Sequence, residues 1–266
     1  DRSVLASHLI NQPVDMALLA GTASDDANWL FIVNSDGSAT ILNTLRSQDI
    51  NGFTSWNTDG NIKSVCVVDD ELYMSVEREI NGVTLMYIER WDFNYKLDCA
   101  GKDTASNIQL GTIDHLFNEQ VQIIVEDEGY ILPPRTVGAS NVISLDPSEV
   151  YSGNYEVGLL FTPTIKPMPL NTDIGSGQNQ MRLKKILRMN VRVNESYGIQ
   201  IDGLDTTINE FGPFVTGNAN AVIPASGIIE DVYDISGWSR EIMPTITCPQ
   251  PTPMHIQMIE YEVEGN

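Results

Sequence analysis

Hydrophobic and polar residues alternate along both halves of the stretch from Glu71 to Asp92, ELYMSVEREINGVTLMYIERWD. Leu72 to Val76 and Thr84 to Ile88 are rich in β-branched and aromatic side chains, and Asn81-Gly82 between them supplies the positive backbone angles of a tight return. The pattern predicts a β-hairpin. A looser copy lies upstream, where Trp29 to Val33 leads through Asn34-Ser-Asp-Gly37 into Ala39 to Leu42. Setting Leu30 against Leu72 gives a period of about 42 residues, inside the roughly 40–45 expected of a four-stranded propeller blade. Phe53 to Asn57 and Ile62 to Val68 complete the strand pairs, with turns at Thr58-Asp-Gly60 and Asp69-Asp70. Two copies fall short of the four or more blades that a closed ring needs, so further blades are expected from upstream sequence or from elsewhere.

Downstream, Lys96 to Ser106 gathers small polar residues and reads as a linker. Val121 to Val125, Tyr130 to Leu132, Val142 to Leu145 and Tyr155 to Phe161 resume the strand pattern, and the prolines at 163, 167 and 169 impose an extended, irregular path. From Arg182 to Val193 the alternation predicts one long strand, with Lys185, Leu187, Met189, Val191 and Val193 on one face and Ile186, Arg188, Asn190 and Arg192 on the other. Val222 to Ile229, Glu241 to Cys248 and Met254 to Glu264 are further strand candidates, while only Asp114 to Glu119 suggests a short helical turn. The expected fold is all-β: partial β-propeller blades over residues 1–95, then a β-sandwich or barrel-like antiparallel region over 96–266 that returns strands to the propeller at its end.

Composition narrows the function classes. The 36 Asp and Glu against 15 Lys and Arg leave a formal charge of −21, which repels like-charged chains and favours solubility. Such a surface gains nothing from counterion release on nucleic acid. Adaptation to a salty solvent accounts for the acidity, and so does a surface that repels DNA while guiding it. Cys66, Cys99 and Cys248 are odd in number and widely spaced, so they imply neither a disulfide framework nor a zinc site, and are expected reduced and packed. No apolar run is long enough to span a membrane as a helix, and Asp-Arg-Ser at the start is not an export signal. The opening residues read as the middle of a propeller, as in a piece of a longer protein.

Chemistry-bearing constellations are sparse. His8, His115 and His255 stand in unrelated contexts without ligand spacing, and Gly175-Ser-Gly-Gln178 lacks the Lys-Ser/Thr ending of a phosphate loop. Acidic turns at Asp25-Asp26, Asp36, Asp69-Asp70 and Glu126-Asp-Glu128 match no complete calcium loop, and a glycosidase pair needs a spatial separation that sequence does not fix. Solvated turns are the simpler reading. Asn194-Glu-Ser196 fits a glycosylation sequon without a secretory context. No catalytic residue, cofactor or metal ligand is assigned.

Arg182, Lys184, Lys185, Arg188 and Arg192 hold a third of the 15 basic residues. They fit a contact between subunits, a local touch on DNA, or an edge strand guarded by charge. Subunit contact is preferred over DNA because the rest of the chain is so acidic.

Several segments together resemble the tail nozzle proteins of short-tailed bacteriophages, also described as tubular tail or packaged-DNA stabilisation proteins. They are Leu72 to Gly82, Tyr87-Ile-Glu-Arg90, Leu97-Asp-Cys99, Asp114-His-Leu116, Val121 to Val125, Val157 to Thr162, Ile174 to Gln178 with Arg182-Leu-Lys-Lys185, and Thr245 to Glu264. Their order and spacing carry the likeness after about residue 60; before it only blade character is recognisable.

The resemblance implies a non-enzymatic virion subunit, made in the host bacterial cytoplasm and present in six copies around the tail axis. It would adjoin adaptor and portal-side proteins above and distal tail proteins below, with genomic DNA passing through unbound. Two rivals stand beside it. One is a propeller module gripping a host protein or glycan through Trp29, Trp56, Trp91 and Tyr73. The other is a propeller glycosidase, for which no complete catalytic set can be assembled.

Overall fold

A computed structural model describes residues 6–21, 27–45, 47, 50–104, 109–111, 113–126, 130–138, 140–151, 153–170, 182–196, 198–206, 225–232 and 237–265. Their regular structure is β-strand with short 3-10 turns, one of them Asp114–Leu116, where the sequence suggests a helical turn. The chain is all-β, with several antiparallel sheets, and none closes into a barrel among the described residues. It divides into two compact units: Asp1–Val121 with Pro134–Val150 and Val157–Leu159, and Gln122–Pro133 with Tyr151–Glu156 and Leu160–Asn266.

In the first unit, β1 (Pro13–Leu19), β2 (Asn28–Asn34), β3 (Ala39–Leu45) and β4 (Ile50–Trp56) form a sequential four-stranded meander. A second meander follows in β5 (Asn61–Val68), β6 (Glu71–Ile80) and β7 (Val83–Arg90). The sequence period therefore sets the second strand of one sheet on the second strand of the next. Its hairpins form where the turn chemistry allows: Asp69, Asp70, Asn81 and Gly82 all have positive φ, as the tight two-residue returns require. Gly37 (φ +87) closes the β2–β3 turn, and its carbonyl accepts the Ile62 N–H at the start of the second sheet.

The two sheets pack face to face. Phe31, Val33, Ala39 and Ile41 from the first meet Ile62, Val65, Leu72, Met74 and Val76 from the second, all buried. Apart from Ala39, each such side chain contributes about 1.5–3 kcal/mol by leaving water. Trp29, Trp56 and Trp91 cap this core, and the Asp15 carboxylate accepts the Val65 N–H across the gap at 3.0 Å.

The segment expected as a linker instead forms β8 (Asp98–Thr104). Its small residues serve close packing rather than freedom. A Cβ on Gly158 would lie 2.8 Å from the Asp98 carbonyl and from Cβ of Leu97 and Ala100, so strand β13 (Asn154–Leu159) reaches β8 only through glycine.

Between these in sequence lie β9 (Gln109–Leu110), β10 (Gln120–Val125), β11 (Tyr130–Thr136) and β12 (Ile143–Ser144), with β9 paired to β12. Residues of β10, β11 and β13 are divided between the two units.

The second unit adds β14 (Thr164–Ile165), β15 (Lys184–Ser196), β16 (Gln200–Ile201), β17 (Leu204–Asp205), β18 (Ala225–Val232), β19 (Ile246–Thr247) and β20 (Ile256–Gly265). Four short strands make a small sheet of order β14-β19-β16-β17, and the long β15 lies between β18 and β20. Of the strand expected from Glu241 to Cys248, only Ile246–Thr247 forms. Ile186, Met189, Val191, Val193, Ile229 and Ile246 belong to this unit's core.

The single-face alternation expected of β15 is broken by a bulge. Ile186 pairs with Val263 and Arg188 with Glu262, so β15 spends two residues where β20 spends one. Lys184 and Ile186 therefore share the buried face with Met189, Val191 and Val193, while Leu187 and Arg188 are exposed. Lys185 and Leu187 do not belong to that face.

Candidate functional site

The basic cluster maps onto this sheet but not onto one surface. Arg182 is exposed just before β15, and Arg188 and Arg192 are exposed on it. Lys185 is half-buried. Lys184 points inward, 2% exposed, and its Nζ donates to the Leu170 carbonyl. Since a buried ammonium held by a carbonyl cannot also reach a neighbouring chain, Lys184 leaves the expected set of contact residues.

Those that remain outside face a ladder of acids. Across the β15–β20 pairing, Lys185 stands opposite Glu264, Arg188 opposite Glu262, Asn190 opposite Glu260 and Arg192 opposite Met258. Arg188 Nη2 lies 3.1 Å from Glu262 Oε2, with both side chains about half exposed. Arg188, Asn190, Glu260, Tyr261 and Glu262 line an open depression of about 390 Å³. The Tyr261 hydroxyl lies buried without a hydrogen-bond partner among the described residues, and burial, with Asp202 adding to it, raises its pKa. Glu260, Glu262 and Glu264 recur at period two in the sequence, a signal that marks the exposed row of a strand. Cation and anion rows side by side suit a complementary charged strip, and this face partly satisfies its own charges.

The most deeply set ionic group is elsewhere. Arg78, 0% exposed at its side chain, is held by Glu89 through Nε and Nη2, by Asp98 through Nη1 and Nη2, by the Asp59 carbonyl and by Thr58 Oγ1. Burial pushes the Asp98 carboxyl up, but the hydrogen bonds and charge of Arg78 prevail and hold it below the usual range. Burial, with Glu89 nearby, pushes the Cys99 thiol up to about 12. Every donor of this group meets a fixed acceptor on the same fold, so it locks strands together and leaves no vacant valence for a substrate.

The remaining chemical candidates are dispersed. His8 sits in the first 3-10 turn, the His115 ring pairs with the Cys99 carbonyl at 2.9 Å, and the backbone N–H of His255 donates to Ser196 Oγ. Asp36 accepts from the hydroxyl and backbone of Ser38, which lowers its pKa, and Asp69-Asp70 forms a hairpin turn. Asp25-Asp26, most of Glu126-Asp-Glu128 and Gly175-Ser-Gly-Gln178 lie outside the described residues. Among the described residues no three His, Cys, Asp or Glu side chains gather as metal ligands. No helix of the described residues is long and apolar enough to cross a membrane.

Trp29, Trp56 and Trp91 pack against one another and Phe31, with ring centroids 4.8–5.8 Å apart. All three are partly buried against the core of the first unit. Two further geometries remain, the charged ladder across β15 and β20 and the ionic lock around Arg78. No model of a known protein family matches the chain, and no curated protein matches it.

Proposed function

We propose that this chain is a structural, non-enzymatic subunit of a short-tailed bacteriophage tail, a nozzle or tube component arranged in six copies around the channel through which the genome passes. The observation that carries the reading is the ordered series of nozzle-like segments from Leu72 to Glu264. Consecutive antiparallel meanders of about one blade each agree with it, as does the formal charge of −21. A negative lumen denies phosphates strong contacts, so DNA slides through instead of adhering. The exposed Arg188 and Arg192, beside the acidic ladder of β20, supply a charged strip through which neighbouring subunits set their register.

The test is electron microscopy of purified particles from the genome that encodes the chain, labelled with an antibody against it. Label at the short tail supports the reading. Label confined to the capsid, or particles that lack the polypeptide, overturns it, and a positively charged inner surface in the assembled ring would remove the sliding mechanism.

A further inference from the structure

Asn51-Gly52 and Asn81-Gly82 are the two Asn-Gly pairs of the chain, and the fold treats them differently. Asn51 and Gly52 lie inside β4, paired with Thr44 and Asn43 of β3. Asn81 and Gly82 form the exposed tip of the β6–β7 hairpin, beyond its last pair, Ile80 with Val83.

The geometry at the tip favours one reaction. The Gly82 N–H donates to no acceptor among the described residues, and an added Cβ at Gly82 would meet nothing within 4 Å. No ladder bond holds this nitrogen, and with no side chain the backbone turns easily there. Next to it, the Asn81 carboxamide is polarised, because Asn118 Nδ2 donates to its Oδ1 at 2.9 Å and draws electrons from Cγ. A nucleophile and an electrophile on adjacent residues react intramolecularly, without the entropy cost of an encounter.

We propose that Asn81 is a modification site, deamidating spontaneously in the folded protein through attack of the Gly82 main-chain nitrogen on Asn81 Cγ. The Gly82 N–H gives its proton to hydroxide in solvent, and the new N–Cγ bond closes a five-membered succinimide. Asn81 Nδ2 takes up a proton and leaves as ammonia. Water then opens the imide at one of its two carbonyls, leaving aspartate or isoaspartate at this position, with nothing oxidised or reduced. Ring closure needs rotation of the Asn81–Gly82 backbone, which is accessible at a turn tip. At Asn51 the β3–β4 ladder must open first.

The product acts on the contact that the tip makes. Glu119 Oε1 accepts the Asn81 N–H at 2.7 Å, so either product sets a new carboxylate beside Glu119. Isoaspartate also lengthens the main chain by a carbon atom, which the two-residue return does not accommodate. Deamidation therefore loosens the hairpin tip from Asn118 and Glu119. The inference does not depend on the tail assignment.

The test incubates the 266-residue chain, native and urea-denatured, at mildly alkaline pH and physiological temperature. Peptide mapping by mass spectrometry follows each amide, and enzymatic isoaspartyl methylation detects the rearranged product. In the native protein Asn81 is expected to lose its amide at least about tenfold faster than Asn51, the rate effect of about 1.4 kcal/mol of ladder opening. In urea the two rates are expected to converge, since glycine follows both. The variant Asn81→Gly keeps a residue suited to the positive φ of 51° and has no amide to lose. Its acidic ion-exchange species is expected to disappear.

Native protein in which Asn51 deamidates as fast as Asn81 overturns the proposal, as does an Asn81 that keeps its amide while the denatured chain loses it. An acidic species that accumulates in Asn81→Gly at the wild-type rate overturns the assignment to this site.

Discussion

Arg78 and Asp98, 20 residues apart, are joined by two hydrogen bonds, Nη1 to Oδ2 at 3.1 Å and Nη2 to Oδ1 at 2.9 Å. On its other side the same guanidinium holds Glu89 at 2.6 and 2.7 Å. One cation thereby ties β6, β7 and the start of β8 together, and the Asp59 carbonyl adds the turn before β5. Removing the cation leaves Glu89 and Asp98 close together without their partner. Arg78→Ala is expected to cost about 3–5 kcal/mol, the usual result of breaking a buried pair from one side. Urea denaturation read by tryptophan emission measures it, because Trp29, Trp56 and Trp91 all lie in this unit.

The same pair sets an acid dependence. Asp98 has a folded pKa below its unfolded value, so its stabilisation is complete above the ordinary aspartate range of about 3.9 and fades as pH falls through the folded pKa. Asp98→Asn is therefore expected to lower the urea midpoint at neutral pH, with the gap to wild type closing below about pH 4. Parallel urea titrations at stepped pH values check this, and a gap that does not change with pH removes Asp98 as the source.

Gly37 is placed where no other residue fits. Its φ is +87°, and an added Cβ would lie 2.6–2.9 Å from atoms of Asn61. Gly37→Ala is expected to cost about 2–4 kcal/mol from left-handed strain and overpacking together, whereas Gly82→Ala, with φ +71° but open space around it, should cost about 1–2 kcal/mol from strain alone. Thermal unfolding of the two variants separates the contributions. Equal losses would mean that the Gly37 turn can move away from Asn61.

The hairpins, the repeat and the all-β class are legible in the sequence because turn chemistry and period-two alternation are local. Asn81-Gly82 and Asp69-Asp70 dictate their own returns whatever surrounds them. Features that depend on a distant partner are not legible. Asp98 sits in a segment of linker composition and becomes a strand residue because Arg78 and Gly158 meet it across the fold. In β15 an alternation that looks uninterrupted contains a bulge, since only the pairing with β20 shows that Ile186 and Arg188 oppose consecutive residues. That displacement turns Lys184 from a surface charge into a core one. The cluster's other charges were readable; the glutamates facing them were readable too, but not that the two rows lie opposite.

The three thiols are expected to react in an order fixed by environment. Cys66 is exposed, Cys248 is buried, and the Cys99 thiol, pushed up to about 12, is almost entirely protonated at neutral pH. Since thiolate is the reactive species, a maleimide or iodoacetamide time course on the native protein should modify Cys66 at least about tenfold faster than the other two. Peptide mapping by mass spectrometry identifies the sites. Rapid native labelling of Cys99 would show that β8 opens readily.

Reversing Arg188 tests how far the ladder stabilises the subunit itself. In Arg188→Glu a carboxylate stands directly opposite Glu262 and next to Glu260 and Glu264 on the facing strand. Like charges opposite each other in a sheet repel, but both side chains are about half exposed, so solvent and salt blunt the effect. The expected loss is about 1 kcal/mol or less at low ionic strength and approaches zero near 1 M salt. Chemical denaturation across a salt series measures it. A large loss that persists at high salt would mean that Arg188 holds the strand through packing of its alkyl stem, and Arg188→Met, which keeps the stem without the charge, would then retain most of the stability.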